Sequence, residues 1–238
     1  MIDLNGQLRL HPRMHVSVTH AGDGRQPVLV VDNFLSNPEV LIDYAAAHSV
    51  FDHVSDTFYP GERAPIPPIY SYAVRAFLGA AIAEAFALGA AAVTRELSHF
   101  SLVTTPPEHL TVLQRMPHFD NTDPRQLAVL HYLCGPGFGG TSFYRHRATG
   151  FEFIDESRRA AYSRAVREEL AALRPAAPRY ICGDDAMFAR TASFAADFNR
   201  ILVYHSISLH SADIAPGFAF SGDPRTGRLT ANTFFFYE

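Results

Sequence analysis

Gln114-Arg115-Met116-Pro117-His118-Phe119-Asp120 follows an apolar run (Leu110, Val112, Leu113) and precedes the turn-rich Asn121-Thr122-Asp123-Pro124. Read as the end of a strand, the stretch places residues two apart on one face. His118 and Asp120 then point the same way, with Phe119 opposite. An imidazole and a carboxylate side by side are two of the three ligands of a facial two-histidine, one-carboxylate metal site. An isolated His-x-Asp is more often a solvated turn, so the reading depends on a third ligand elsewhere in the chain.

Downstream, residues 126–133 read as a strand, Cys134-Gly135-Pro136-Gly137-Phe138-Gly139-Gly140 as a turn, and Thr141-Ser142-Phe143-Tyr144 as a second strand. Together they predict a hairpin. The glycine run opens no helix and carries no Lys-Ser/Thr after it, which argues against a phosphate loop. Residues 156–173 form a charged amphipathic helix closed by Pro175, an insertion whose charges make a solvated face. Strand-like runs return at 188–198, 201–205 and 207–210, with a turn at 197–200, and 228–237 is the last strand.

Two histidines near the end, His205 and His210, compete for the third ligand position. Beyond them, Arg228-Leu229-Thr230 opens the final strand, where Arg228 and Thr230 share a face. A planar two-pronged cation beside a hydroxyl is what a buried carboxylate requires. The chain thus offers a metal triad and, on a different strand, a carboxylate anchor.

Upstream, Val16, Val18 and residues 28–31 read as strands. Ser36-Asn37-Pro38-Glu39 is a helix start leading into residues 40–48. The segment 52–68 contains Pro60, Pro65, Pro67 and Pro68 and reads as irregular, either a stiffened surface connection or a loop across a pocket mouth. Residues 70–88 carry Val74, Phe77, Leu78, Ile82 and Phe86 at helical spacing, with Gly89 as the stop. Runs at 100–103 and 110–113 read as strands.

Composition narrows the class. The 238 residues are 47% hydrophobic and 18% charged, as expected of a chain that buries a sizeable core. A net charge of −4 gives no reason to expect nucleic acid or an anionic membrane as partner. Two cysteines, Cys134 and Cys182, make neither a ligand motif nor a disulfide framework. No leader segment or membrane span is expected, so the expectation is a soluble, cytoplasmic protein. A homodimer is left open.

From about residue 98 onward the chain resembles the Fe(II)/2-oxoglutarate-dependent dioxygenases, most closely their prolyl-hydroxylase-like branch. Three segments carry the resemblance: Pro117-His118-Phe119-Asp120; residues 129–133 with Gly139-Gly140-Thr141-Ser142-Phe143; and Leu209-His210 followed by Arg228-x-Thr230. Two departures are visible. No residue separates the paired glycines from Thr141, and the step from His210 to Arg228 is longer than is common in the family. The chain is also similar to bacterial proteins grouped only as a family of unknown function.

The resemblance implies an α+β fold: a double-stranded β-helix (jelly-roll) core, N-terminal helices packed on one sheet, and a helical insertion at about 155–174. It implies a single unit over 1–238, with supporting strands and helices in 1–97 and the core in 98–238. It implies iron held by His118, Asp120 and His210 and 2-oxoglutarate anchored by Arg228 and Thr230, with Tyr132 where some relatives place a tyrosine that also reaches that carboxylate; His205 reads as structural or as a support behind the ligands. The implied activity is hydroxylation of a small molecule or peptide side chain coupled to decarboxylation of 2-oxoglutarate. Asp120 argues against a halogenase, which leaves that ligand position vacant. The alternative is a cupin-like domain that binds a metal or small acid without turnover or without 2-oxoglutarate, in which Arg228 and Thr230 have no role. His131 and His146 carry no assignment. The polar stretch Phe143-Tyr144-Arg145-His146-Arg147 fits either a substrate wall or a surface strand.

Overall fold

The computed structural model describes residues 4, 6–53, 59–172 and 177–238. In chain order the elements are β1 (His15–Ala21), β2 (Gln26–Asp32), α1 (Glu39–His48), β3 (Asp52–His53), β4 (Gly61–Pro65), α2 (Pro68–Ala85) and β5 (Val93–Val103). They continue with β6 (Gln126–Tyr132), β7 (Gly140–His146), α3 (Glu156–Ala172), β8 (Phe188–Ala195), β9 (Ile201–His205), β10 (His210–Asp213) and β11 (Leu229–Tyr237). The strands form two antiparallel sheets, a large one in the order β1-β2-β9-β6-β11-β5-β4-β3 and a small one in the order β10-β7-β8.

The alternation of side chains along each strand builds three layers. Leu127, Val129, Ile201, Val203, Leu229, Ala231 and Phe235 project from one face of the large sheet onto Leu41 of α1 and Tyr70, Val74, Leu78 and Ile82 of α2. The residues between them, Ala128, Tyr132, Leu202 and Tyr204, project from the other face onto Phe143 of β7, with Phe194 of β8 packed alongside. A sheet covered on both faces needs apolar residues at nearly every position, which is why β6 and β9 read as continuous apolar runs. Each fully buried side chain of this kind contributes about 1.5–3 kcal/mol.

Several elements differ from their sequence reading, each for a physical reason. The expected strand at 110–113 is instead part of a pair of tight turns, Pro107–His109 and Leu113–Arg115. Pro106 and Pro107 supply no backbone N–H for a ladder. His118 consequently joins the small sheet through one isolated bridge, to His210, rather than through a full strand. The expected hairpin of β6 and β7 is a crossing between sheets: β6 pairs with β9 and β11, whereas β7 pairs with β10 and β8. Gly139 makes this crossing possible. Its φ is +84°, and a Cβ there would stand 1.8 Å from the Asp213 carbonyl oxygen.

The proline-rich segment is more regular than expected, because β4 is a strand near the sheet edge paired to β5. Pro60 precedes it, Pro65 ends it, and Pro67 and Pro68 start α2, positions where no N–H is required. Residues 54–58 of the expected irregular segment lie outside the described residues. Ile207 sits in a turn, and the strand expected at 207–210 begins only at His210.

The boundary expected at residue 97 falls inside β5, and β1 to β4 share the large sheet with β5, β6, β9 and β11. Helix α3 packs Tyr162 and Val166 against Tyr144, Phe188 and Leu209, and Pro175, read as its stop, lies outside the described residues. The polar stretch at the end of β7 serves this scaffold. Buried His146 meets Glu169 of α3 at 2.6 Å, Arg145 pairs with Asp23 and Glu152, and Arg147 pairs with Asp184. Among the described residues, no helix is long and apolar enough to cross a membrane.

A candidate metal and carboxylate site

The backbone brings the His-x-Asp stretch onto the start of β10. His118 N–H donates to the His210 carbonyl and His210 N–H to the His118 carbonyl, both at 2.9 Å, and Asp120 N–H donates to the Ser206 carbonyl at 2.8 Å. These bonds fix three side chains against one another. His118 Nε2 stands 3.6 Å from one Asp120 carboxylate oxygen and His210 Nε2 3.7 Å from the other. One ligand atom from each residue lies within 4.8 Å of the others. Cis ligands of an octahedral cation stand about 3 Å apart, given bonds of about 2.0–2.2 Å, so small inward shifts close the set around an ion.

The electrostatics favour a cation there. Burial, the neighbouring His210 and Arg63 hold the proton affinity of His118 well below the ordinary histidine range, so the ring is a neutral imidazole. Burial pushes Asp120 up against the opposing pull of His210 and Arg63. A carboxylate whose side chain is only 17% exposed, set between two imidazoles, would gain from the positive charge of a divalent ion. His210 is further prepared because its Nδ1 lies 2.9 Å from the Ser208 carbonyl. A proton on Nδ1 donates to that oxygen and leaves Nε2 as the ligand atom. His205, the rival, accepts no such role: its Nδ1 meets the Pro124 carbonyl at 2.8 Å and its ring stands edge-on to Phe86 on the helix side.

Arg228 and Thr230 line the same cavity as the triad. Arg228 is 2% exposed, and its Nε and one Nη donate to the carbonyls of Phe138 and Gly140 at 3.0 and 2.8 Å. Among the described residues no carboxylate pairs with it. A buried guanidinium satisfied only by neutral acceptors keeps its charge unmatched, which is costly unless an anion joins it. Thr230 Oγ1 is likewise buried without a hydrogen-bond partner. Tyr132 lies behind this pair. Its ring centre is 5.6 Å from the Arg228 guanidinium carbon, and its hydroxyl bonds Thr141 Oγ1 at 2.6 Å. Burial moves its hydroxyl to about 12, so it remains a neutral phenol.

The cavity wall also contains Tyr204, Arg63, His99 and Asn232, which the sequence reading did not single out. Tyr204 stands edge-on to His210 with ring centres 4.8 Å apart. Its place in the apolar run of β9 concealed it, since an inward tyrosine and a core tyrosine look alike in sequence. His99 is moved down to about 3 by burial and by Arg63, so it is a neutral imidazole. The histidines without an assignment, His131 and His146, lie away from the cavity. His131 faces α2, between the Tyr70 hydroxyl at 3.1 Å and Asn199 Oδ1 at 3.2 Å.

The chain bears remote likenesses to several solved structures. HygX from Streptomyces hygroscopicus with nickel, 2-oxoglutarate and hygromycin B bound is 11% identical, covering 88% of this chain and 82% of its own at a TM-score of 0.47. An N-substituted L-amino acid dioxygenase from Burkholderia ambifaria AMMD is 11% identical, covering 94% and 95% of the two chains at a TM-score of 0.41. EvdMO1 is 14% identical, covering 93% of this chain and 55% of its own at a TM-score of 0.33. No curated protein matches the sequence. A family model matches residues 12–235, nearly the whole chain, and on that match the protein belongs to the family of unknown function DUF6445.

Proposed function

We propose that the protein is a non-haem Fe(II)/2-oxoglutarate-dependent oxygenase, a hydroxylase of a small molecule or peptide side chain. One observation carries the reading. A single cavity joins three metal-ligand atoms within 4.8 Å of one another to a buried arginine that has no carboxylate partner among the described residues. The strand order supports it. From β5 onward the chain passes from the large sheet to the His118 bridge, back to β6, across to β7 and β8, back to β9, across to β10 and back to β11. That winding is consistent with a double-stranded β-helix (jelly roll), the triad lying at the small sheet and the anchor on the large one.

Two imidazoles and one carboxylate on one face leave the remaining positions of a six-coordinate ion free, and that arrangement suits iron oxygenases. When bound, iron and 2-oxoglutarate supply oxidative decarboxylation coupled to oxidation of a substrate C–H bond. The chain supplies the rest. His118, Asp120 and His210 would hold the metal, and the Ser208 carbonyl keeps His210 in the ligating tautomer. Arg228 and Thr230 would receive the distal carboxylate of 2-oxoglutarate, the guanidinium through donors not already committed to Phe138 and Gly140. Tyr204 and Phe143 wall the His210 ring on its apolar side and exclude water there. A cupin-like binding domain would need no charged group at the position of Arg228, and so ranks second.

The test is spectroscopic. Anaerobic Fe(II) and 2-oxoglutarate are added to metal-free protein, and the weak visible band of a chelated 2-oxo acid is followed. The band is expected in the wild type and absent in His210→Ala. In Arg228→Ala it should require at least about tenfold more 2-oxoglutarate, the loss of one charge-assisted contact. A folded, metal-loaded wild type without the band would overturn the proposal.

A further inference from the structure

The cavity contains a second arginine that the metal and cosubstrate leave unused. Arg63 on β4 pairs across to Ser101 on β5, and Ser101 pairs across to Thr230 on β11. The three residues form one row over three strands, so the Arg63 backbone lies about 10 Å from that of Thr230. Its neighbour Ala64 packs into the helix-side core, which directs Arg63 to the opposite face, where it lines the cavity. The two arginines enter that cavity from different strands, Arg63 from β4 and Arg228 from the residue that leads into β11.

Arg63 has the features of a prepared anion site. Among the described residues no Asp or Glu pairs with it, and its Nε is buried without a hydrogen bond. The Tyr59 ring supports the guanidinium, with its carbon 4.7 Å from the ring centre, so the fork is held flat before anything binds. Two further orphaned atoms lie in the next row of the same face, His99 Nε2 and Asn232 Oδ1, and their residues line the same cavity. A planar cation with an unmatched Nε donor, in the cavity that the three metal-ligand residues also line, suits bidentate binding of a carboxylate.

We propose that Arg63 binds a carboxylate of the organic substrate, so that the substrate is a small carboxylic acid oriented with that group toward β4. His99 and Asn232 then offer hydrogen-bond partners to polar groups next to the carboxylate. The proposal rests on the oxygenase reading, and its test separates the two. The anaerobic Fe(II)–2-oxoglutarate complex is titrated with the proteinogenic L-amino acids in N-acetyl form and with the matching N-acetyl amino acid amides. Changes in the visible band report binding beside the metal.

At least one acid should perturb the band, and its amide should need at least tenfold higher concentration. Arg63→Gln should lose the response and Arg63→Lys retain part of it, while both keep the wild-type requirement for 2-oxoglutarate. The proposal is overturned if no acid perturbs the band, if amides act as well as acids, or if Arg63→Gln responds like the wild type. It is also overturned if Arg63→Gln raises the 2-oxoglutarate requirement, which would make Arg63 a cosubstrate contact. A wild type that forms no band removes the oxygenase reading itself, before Arg63 is questioned.

Discussion

The two faces of the large sheet follow opposite rules. On the helix side, polar groups have partners within an apolar core: His131 lies between the Tyr70 hydroxyl and Asn199, Thr233 bonds Ser98, and Glu96 meets Ser71 and Arg75. On the cavity side, Arg228 lacks a counter-charge among the described residues, and Thr230 Oγ1, Asn232 Oδ1 and His99 Nε2 lack hydrogen-bond partners. Both faces belong to the same strands and differ by a single residue of register. Matched polar groups hold a fold together, whereas buried unmatched ones cost stability and are kept for a ligand that completes them.

That contrast predicts opposite outcomes for substitutions on the two sides of the large sheet. On the helix side, Phe235→Ala should destabilise the protein by about 3–5 kcal/mol in denaturant unfolding, the cost of a large cavity in a packed core. Its metal affinity per folded molecule should be unchanged. On the cavity side, Asp120→Asn should lower affinity for a divalent ion by more than about 100-fold in a competition titration, since a ligand loses its charge. The metal-free protein should nevertheless be at least as stable as the wild type, because burial disfavours the Asp120 charge. A large loss of stability in metal-free Asp120→Asn would break the comparison.

A smaller effect sharpens it. His131 is fully buried, and burial lowers its proton affinity from 6.5 to about 4. The unfolded chain therefore binds a proton that the folded one refuses, and stability is lost as pH falls from about 6.5 toward 4. His131→Gln should flatten that part of the stability profile. At pH 7 it should cost about 1–3 kcal/mol, because the Tyr70 hydroxyl loses its acceptor, and leave metal and 2-oxoglutarate binding untouched.

The sequence made some of these residues legible and concealed others. His118 with Asp120 and Arg228 with Thr230 are visible because each pair is local, two positions apart on extended backbone. The apolar alternation of β6, β9 and β11 is visible for the same reason. The path between strands is not local. Nothing in Cys134 to Gly140 distinguishes a hairpin from a crossing between sheets, since glycine permits both and only the partners of β6 and β7 decide. Arg63 stayed hidden because prolines on either side made its segment read as irregular, and its strand is defined by pairing with β5. His210 could be preferred to His205 only through the family resemblance. In the structure the choice rests on which histidine meets Asp120.

The most direct measurement is anomalous diffraction from crystals grown without oxygen in the presence of Mn(II) and 2-oxoglutarate. The account predicts a manganese ion bonded directly to His118, Asp120 and His210. It also predicts the distal carboxylate of 2-oxoglutarate within hydrogen-bond distance of Arg228 and Thr230. Manganese bound away from the three residues, or 2-oxoglutarate lying elsewhere than against Arg228, would contradict it.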